Sequence, residues 1–285
     1  MSETITLNNG TKMPLVGYGV FQVDPKECER CVADALAVGY RSIDTAQAYF
    51  NEEGVGNAWR KSGIPRDEIF ITTKVWVSNA GEKKAAESID TSLRKLQTDY
   101  IDLLLIHQAY SDYHGTYRAM EAALRAGKVR AIGVSNFYYD RFLDIAEYSE
   151  IKPAVNQIEA SAFAQQWEMQ ALMERYGTKL MAWGPLAEAS PAFFENAILK
   201  NIAAAHGKTI AQVALRFLTQ RGIIVIPKTV RKERMVENLD CLGFDLSPAE
   251  MDSIRSLDLG HGSVVNFSDP QAMLGLFDII RQYKV

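Results

Sequence analysis

The sequence predicts a single (β/α)8 barrel, the TIM barrel architecture, with an N-terminal β-hairpin and extra helices, and three observations support this fold class. Eight short apolar runs, typical of buried strands, alternate with segments that have the period of amphipathic helices. The chain has 285 residues, which is enough for such a barrel. The competing fold, a doubly wound open sheet, requires a G-x-G-x-x-G fingerprint after its first strand, and the Gly17-Tyr18-Gly19 sequence there lacks the third glycine.

One domain covering residues 1–285 is the simplest organisation, because no linker, low-complexity stretch or internal repeat divides the chain. Its 47% hydrophobic and 23% charged residues are typical of a globular protein and exclude a disordered or collagen-like chain. The formal net charge is −4, and like charges form no block along the chain. We therefore expect a small-molecule partner rather than nucleic acid or a membrane surface.

The amino-terminal stretch has no basic region followed by an apolar one, and nowhere do about 18 apolar residues run together, so we predict neither a signal peptide nor a membrane span. Three cysteines, Cys28, Cys31 and Cys241, do not fit a disulfide framework in a chain of this length. They favour a reducing compartment, and we expect a cytoplasmic protein. Cys28 and Cys31 fall on the apolar stripe of a predicted helix, so we expect core packing rather than zinc binding.

The chain opens with a predicted β-hairpin, because Asn9-Gly10 supplies the positive φ angles of a tight turn between residues 5–7 and 12–14. Eight barrel strands are expected after it. They lie at residues 16–20, 40–43, 69–73, 101–106, 129–134, 154–158, 180–183 and 223–226.

The helices between these strands have recognisable start and stop signals. Asp24-Pro25 with Glu27 predicts an N-cap, a proline in the first turn and a capping box, and Gly39 ends this helix. Ser247-Pro248-Ala249-Glu250 predicts a second capping box. The long gap between the seventh and eighth strands contains an extra helix, which we place at residues 194–205.

Polar residues stand where the predicted strands end. In a (β/α)8 barrel these ends meet at one mouth, where active sites form. The residues are Asp44 and Tyr49 after the second strand, Lys74 after the third, His107 after the fourth, Ser135 and Asn136 after the fifth, Asn156, Gln157 and Glu159 around the end of the sixth, Trp183 at the seventh, and Lys228 and Thr229 after the eighth. Taken singly, each has a common structural role as a turn, cap or solvated residue, so only their convergence indicates a site.

A tyrosine, a lysine, an aspartate and a histidine at neighbouring strand ends are suited to donate a proton. We expect the Lys74 ammonium to lower the pKa of the Tyr49 phenol, and Asp44 to compensate the buried lysine. A neutral His107 would donate a hydrogen bond to a carbonyl oxygen as negative charge develops there. Such a site delivers a proton to a carbonyl while another group delivers hydride. Only His107 of the four histidines lies at a strand end, so no metal site is predicted.

Six segments resemble the aldo-keto reductases and occur in that family's order along nearly the whole chain. They are residues 43–49 (IDTAQAY), 72–76 (TTKVW), 104–107 (LLIH), 131–137 (AIGVSNF), 155–157 (VNQ) and 226–229 (IPKT). The chain resembles most the bacterial members grouped with 2,5-diketogluconate and methylglyoxal reductases. The resemblance implies NADPH-dependent reduction of aldehydes or ketones to alcohols. It implies the catalytic residues Asp44, Tyr49, Lys74 and His107, with Tyr49 as general acid.

The same resemblance implies where the cofactor binds. Ser135, Asn136 and Gln157 would hold the nicotinamide carboxamide, Trp183 would stack on its ring, Gly184 and Leu186 would line the pyrophosphate path, Lys228, Thr229 and Arg234 would hold the 2′-phosphate, and Glu237 and Asn238 would reach the adenine. The physical argument agrees, because cations near the start of a helix suit a doubly charged phosphate, whereas an NAD site commonly offers an acid. We predict NADPH over NADH, with Thr229 at the beginning of that helix. The resemblance also makes a monomer the default expectation.

Departures from the family pattern affect the substrate pocket. Gln108-Ala109 stand where many relatives have Trp-Pro, and Ser161-Ala162 stand near a common His-Pro pair. The predicted pocket residues are Phe21, Trp76 and Gln108, and residues 258–285 correspond to a variable substrate loop of the family. The substrate stays open among methylglyoxal, sugar-derived ketones and other aldehydes.

Two other functions remain open from the residues alone. A Schiff-base lyase or aldolase would use Lys74 as its nucleophile, although the cationic segment 228–238 counts against this. A cofactor-sensing or structural protein would keep the fold with little turnover, although the complete set of four catalytic residue types counts against it.

Overall fold

The computed structural model describes residues 3–283 and 285, which form ten β-strands and twelve α-helices. The strands are β1 (Thr4–Thr6), β2 (Lys12–Pro14), β3 (Tyr18–Gly19), β4 (Ser42–Asp44), β5 (Phe70–Val75), β6 (Ile101–Ile106), β7 (Val129–Ser135), β8 (Val155–Glu159), β9 (Lys179–Trp183) and β10 (Ile224–Val225). The helices are α1 (Pro25–Val38), α2 (Glu52–Ser62), α3 (Glu82–Leu96), α4 (Tyr113–Arg125), α5 (Tyr139–Tyr148), α6 (Trp167–Glu174), α7 (Pro191–Phe194), α8 (Ala197–His206), α9 (Ile210–Gln220), α10 (Lys232–Leu239), α11 (Pro248–Arg255) and α12 (Pro270–Gln282). Within this part of the chain, no helix has both the length and the apolar character needed to cross a bilayer.

Eight parallel strands, β3–β10, form the barrel in their order along the chain. The first and last of them meet through a parallel bridge between Val16 and Val225 and a 2.8 Å hydrogen bond from Gly17 N to Val225 O. Gly19 is required at this seam, because a Cβ there would lie 2.8 Å from the backbone oxygen of Ile226. The predicted (β/α)8 fold class is confirmed, and β1 and β2 form the predicted N-terminal hairpin.

Two apolar layers stabilise this arrangement. Strand residues such as Leu103, Leu105 and Met181 form one buried cluster with Leu7 and Met13, so the hairpin packs against the barrel strands. The other residues of the strands pack against the surrounding helices in a second, larger cluster. The prediction for the α1 cysteines is confirmed, since Cys28 and Cys31 are buried in this second cluster as free thiols.

The strand positions differ from the prediction mainly at the seam. The first and eighth barrel strands were expected at residues 16–20 and 223–226, but β3 and β10 have two residues each. Here the barrel closes through isolated backbone hydrogen bonds, which an apolar pattern does not distinguish from a full strand. The hairpin strand expected at residues 5–7 is Thr4–Thr6.

The N-termini of α1 and α11 test the two capping boxes predicted from the sequence. Asp24 caps α1 by accepting a hydrogen bond from Lys26 N, but the predicted capping box is wrong, because Glu27 instead pairs with Arg30 at 2.9 Å. The box of Ser247 and Glu250 is confirmed.

The extra helix expected at residues 194–205 is two helices. Asn196 separates them, because its side chain accepts hydrogen bonds from Ile198 N and Leu199 N and so starts α8 anew. The substrate loop expected at residues 258–285 contains α12, which was not predicted; Asp269 caps this helix and Pro270 begins it. A single domain over residues 1–285 stays a prediction.

Candidate active site

The polar residues at the strand ends meet at one end of the barrel, which we call the mouth. Asp44 ends β4 and Gln157 lies near the end of β8, on the opposite side of the eight-stranded barrel. Gln157 Nε2 nevertheless donates a 2.8 Å hydrogen bond to Asp44 Oδ2. The mouth is therefore narrow enough for side chains from opposite strands to contact each other.

A buried ion pair lies at the centre of the mouth. Lys74 Nζ is 2.6 Å from Asp44 Oδ1 and donates a second hydrogen bond of 2.9 Å to Thr45 O. Burial lowers the pKa of Lys74 and raises that of Asp44, while their contact opposes both changes. A Schiff-base lysine must be neutral to react, and the contact with the Asp44 carboxylate opposes that neutral form.

Tyr49 lies in the single 3-10 turn Gln47–Tyr49 that follows β4, and its hydroxyl is 3.4 Å from Lys74 Nζ. The predicted direction of its pKa shift is wrong. Burial and the carboxylates of Asp44 and Glu188 hold the pKa of Tyr49 well above its ordinary value. The lysine does not reverse this, because its charge is already compensated by Asp44. Tyr49 is therefore a protonated phenol.

His107 follows β6 and is buried beside Tyr49. Its ring centroid is 5.5 Å from that of Tyr49 and 4.9 Å from that of Trp76, in edge-to-face arrangements. Burial and the nearby Lys74 charge hold the pKa of His107 well below its ordinary value. This direction favours the neutral imidazole that the sequence predicts.

Amide and hydroxyl side chains at the next strands form a connected network. Ser135 Oγ donates to Gln157 O at 2.8 Å, and Asn136 Nδ2 donates to His107 O at 3.1 Å. Trp183 Nε1 donates to Asn136 Oδ1 at 2.9 Å, which fixes the indole at the end of β9. Asn136 has a φ of 60°, a left-handed conformation that asparagine tolerates better than most residues. The network brings the four predicted carboxamide and ring-stacking residues together.

The segment after β9 has an unusual backbone. Gly184 has a φ of 60°, and three consecutive residues, Ala187, Glu188 and Ala189, have φ values of 48°, 50° and 57°. Such left-handed positions are costly for residues other than glycine and occur mostly where function requires them. Leu186 is half-buried against the main apolar cluster. Gly184 and Leu186 thus lie at the mouth, beside Trp183.

A cationic segment follows β10. Lys228, Arg231 and Arg234 are exposed, and among the described residues none of the three side chains forms a salt bridge, whereas Lys232 is 3.9 Å from Asp34. The expected helix start is wrong by three residues, because α10 begins at Lys232 and Thr229 precedes it. This happens because the Thr229 Oγ1 atom accepts a hydrogen bond from Arg231 N, which makes a turn before the helix.

The two predicted adenine-contacting residues have different surroundings. Asn238 is buried. Glu237 already accepts a 2.7 Å hydrogen bond from Thr209 Oγ1, which ties α10 to the start of α9.

The three predicted pocket residues differ in their exposure and in their contacts with the Tyr49 and His107 rings. Phe21 is half-exposed, with its ring centroid 5.0 Å from that of Tyr49, and Trp76 is buried against His107. Gln108 is buried, and its Oε1 has no hydrogen-bond partner among the described residues. Gln108 directly follows His107 in the chain, after the end of β6.

Three residues that contact or influence the site were not predicted from the sequence. Thr45 contributes a backbone oxygen to Lys74, and Glu188 contributes charge near Tyr49. Tyr283 O accepts a 2.8 Å hydrogen bond from Trp76 Nε1. Glu188 follows the seventh strand, a position that marks the mouth, but no signal in the sequence connects Tyr283, near the chain end, to residue 76.

Comparison with protein families matches residues 7–259 to the aldo/keto reductase family. The chain is 42% identical to the glyoxal reductase of Bacillus subtilis (strain 168) over 260 residues, which are 90% of this chain and 94% of that protein. It is 39% identical to the methylglyoxal reductase DkgA of Yersinia pestis over 263 residues, 91% of this chain and 94% of that protein.

Solved structures show the same fold. The crystal structure of a Bombyx mori aldo-keto reductase in complex with NADP is similar to this chain with a TM-score of 0.89 and 31% identity. The similarity covers 95% of this chain and 97% of that one.

Proposed function

The chain belongs to the aldo/keto reductase family of oxidoreductases, and from this premise we propose that it reduces small aldehydes or ketones to alcohols with NADPH. The observation that carries the proposal is the contact of Asp44, Lys74, Tyr49 and His107 at one end of the barrel. The glyoxal and methylglyoxal reductases among the similar proteins support it.

The residues at the mouth fit NADPH. The indole of Trp183 is fixed by Asn136 and only partly buried, and we propose that the nicotinamide ring stacks on its exposed part. The exposed Lys228, Arg231 and Arg234 form no salt bridge within residues 3–283 and 285, so they offer cations that suit a phosphate. We assign the carboxamide to Ser135, Asn136 and Gln157, the pyrophosphate to Gly184 and Leu186, the 2′-phosphate to Lys228, Thr229 and Arg234, and the adenine to Glu237 and Asn238. The Bombyx mori complex with NADP supports this cofactor.

Tyr49 is the proton donor in the proposed reaction. When bound, NADPH supplies the hydride that adds to the carbonyl carbon. The Tyr49 hydroxyl gives its proton to the carbonyl oxygen, so that an alcohol forms and a phenolate remains until it takes a proton from solvent. Lys74, 3.4 Å from the hydroxyl, stabilises that phenolate, and Asp44 holds the lysine in place.

His107 orients the carbonyl oxygen. Its Nδ1 atom is buried and, within the described residues, has no hydrogen-bond partner. We therefore assign its proton to Nε2, where the neutral imidazole donates to the oxygen as negative charge develops. Asn136 supports this orientation, because its side chain holds the backbone oxygen of His107.

Phe21, Trp76 and Gln108 are the proposed substrate contacts. Two aromatic rings packed on Tyr49 and His107 make a close apolar wall, which suits a small carbonyl such as methylglyoxal or a short keto-sugar. Gln108 offers an amide where many relatives have an aromatic residue. In this proposal its Oε1, which has no hydrogen-bond partner in the described part of the chain, accepts a hydrogen bond from a substrate hydroxyl. A monomeric state and a cytoplasmic location stay predictions.

The experiment that tests the proposed function is NADPH consumption with a panel of aldehydes, ketones and dicarbonyls, including glyoxal and methylglyoxal. We expect consumption that depends on the carbonyl, a matching amount of alcohol product, and a higher kcat/KM with NADPH than with NADH. NADPH binding without consumption over the whole panel would instead support the non-catalytic alternative.

A further inference from the structure

One buried carboxylate at the mouth has no part in the proposed chemistry. Glu159 ends β8 and is 0% exposed. Its Oε1 accepts hydrogen bonds from Ser263 N at 2.6 Å, Ser263 Oγ at 2.7 Å and Val264 N at 2.9 Å, and its Oε2 accepts one from Val265 N at 3.1 Å. An ionised carboxylate only accepts hydrogen bonds, so it satisfies these four donors without conflict.

The turn around this carboxylate is tightly wound. At Gly262 a Cβ would lie 2.0 Å from Val265 O and 2.9 Å from Glu159 Oε2. No residue with a side chain fits there without moving the turn. Glu159 and Gly262 together therefore fix residues 263–265 against the end of β8.

From this turn the chain crosses one side of the mouth, from β8 to β4, and we call residues 262–283 the C-terminal strap. Its ring contacts follow the barrel strands in reverse order: Phe267 lies 4.8 Å from Tyr138, which follows β7; Phe277 lies 4.6 Å from Tyr110, which follows β6; and Tyr283 lies 6.3 Å from Trp76, which follows β5, and 6.3 Å from Phe50, which follows β4. Glu159 thus holds the near end of the strap, and the far end lies beside the four proposed catalytic residues, Asp44, Tyr49, Lys74 and His107, which we call the tetrad.

The far end of the strap fixes the wall of the substrate pocket. Tyr283 O accepts the indole hydrogen bond of Trp76 at 2.8 Å, and the same indole packs on His107 at 4.9 Å. Ile280 packs in a small apolar cluster with Ala48 and Trp76, against which Tyr49 also packs. If the strap moved away, Trp76 would lose its contacts with Tyr283 and Ile280. The ion pair of Asp44 and Lys74 lies on β4 and β5 and does not involve the strap.

We propose that Glu159 is a positioning residue for the carbonyl substrate and acts through the C-terminal strap on Trp76. The inference rests on the proposed carbonyl reduction. Without the four hydrogen bonds, the strap samples more conformations, and the substrate must order it again on binding. That cost raises KM and leaves the rate of the chemical step nearly unchanged.

The test compares Glu159→Gln with Glu121→Gln in the full chain, using methylglyoxal and the larger benzaldehyde as substrates. The glutamine keeps the size of the side chain but turns one oxygen into a donor, which faces an N–H of the turn. Glu121 is a matched control, because it is also buried and accepts a 2.9 Å hydrogen bond from Ile151 N, on α4. We expect Glu159→Gln to raise KM about 10-fold with kcat within about 3-fold and NADPH affinity unchanged, and Glu121→Gln to change none of them.

Two further measurements separate positioning from general damage. Amide hydrogen exchange in residues 262–283 should become faster in Glu159→Gln and not in Glu121→Gln. The milder Ser263→Ala, which removes one of the four donors, should raise KM in the same direction by a smaller factor. In a double-mutant cycle, Trp76→Phe, which lacks the indole N–H, should make the KM effect of Glu159→Gln smaller, because both act through the same contact.

The outcomes distinguish this inference from the proposed function. An active wild-type enzyme whose KM does not change in Glu159→Gln and Ser263→Ala contradicts the role of Glu159 alone. Equal losses in kcat, KM and NADPH affinity in both glutamate variants contradict it as well, because they indicate general destabilisation. A wild-type protein that reduces no carbonyl contradicts the proposed function, and the role of Glu159 in substrate binding with it.

Discussion

Burial sets the protonation state of Tyr49 and His107, the two side chains that we propose to face the carbonyl. It raises the pKa of the Tyr49 phenol and lowers the pKa of the His107 imidazole, because water no longer stabilises either charged form. Neighbouring charges act in the same directions, since Asp44 and Glu188 disfavour the phenolate and Lys74 disfavours the imidazolium. Both groups therefore hold the neutral, hydrogen-donating form that carbonyl reduction requires.

These directions predict a flat pH profile for reduction. The raised pKa of Tyr49 keeps the phenol protonated to higher pH, and the lowered pKa of His107 keeps the imidazole neutral to lower pH. With saturating NADPH, kcat should stay constant within about 2-fold between about pH 6 and pH 9. The measurement is initial-rate kinetics over that range at constant ionic strength. A fall with an apparent pKa near 7 would contradict the assignment, because it would require one of the two groups to titrate there.

That these side chains meet at the mouth followed from the sequence, but the direction of the Tyr49 pKa shift did not. Asp44, Lys74 and His107 each stand at the end of an apolar run, and the barrel geometry brings such positions together. The direction of the pKa shift of Tyr49 depends on its burial and on the charges of Asp44 and Glu188, the latter in the left-handed segment after β9. Neither the burial of Tyr49 nor the nearby charge of Glu188 can be predicted from the positions of the strand ends.

At the scale of elements, we propose that the segment from Lys228 to Arg234, which spans the connection after β10 and the first turn of α10, determines the choice of cofactor. It presents Lys228, Arg231 and Arg234 in exposed positions, before or within the first turn of a helix. The positive end of the helix adds to these charges, so an anion is favoured there. In a chain with a net charge of −4, this local concentration is what a 2′-phosphate would recognise.

Arg234→Ala should therefore weaken NADPH more than NADH. Losing one charge-assisted hydrogen bond to a phosphate should raise KM for NADPH about 10-fold and leave KM for NADH within about 2-fold. Steady-state kinetics with each cofactor measure both values, and Arg175→Ala, an exposed arginine after α6, serves as the control. Equal effects on the two cofactors, or none, would remove Arg234 from the 2′-phosphate site.

Regular elements were predictable where local signals and periodicity agree, and less so elsewhere. The strand Ile101–Ile106 and the helix that ends before Gly39 agree with the sequence because apolar runs and caps define them. The two-residue strands at the seam differ from the prediction because their length depends on closure of the barrel. The helix Pro270–Gln282 was not predicted, because its segment was expected to be a loop. For α12, the Asp269-Pro270 pair was a usable signal.

At the scale of the whole molecule, the mouth has two sides with different tasks. Strands β4, β5 and β6 carry the tetrad residues, and β7 to β10 with α10 carry the proposed cofactor contacts. Gln157 connects the two sides through its hydrogen bond to Asp44. The C-terminal strap covers the tetrad side. This long-range arrangement could not be predicted from the sequence, because a contact such as that of Trp76 with Tyr283 leaves no local pattern.

This division predicts that removal of one catalytic oxygen atom slows the chemical step and leaves cofactor binding unchanged. The most direct test is Tyr49→Phe, which removes the hydroxyl and keeps the ring, assayed for kcat with methylglyoxal and for NADPH affinity by fluorescence titration. General acid catalysis contributes a factor of about 10² to 10⁴, so kcat should fall by that factor while the Kd for NADPH stays within about 3-fold of wild type. A variant that turns over at nearly the wild-type rate would contradict Tyr49 as the proton donor and with it the proposed mechanism.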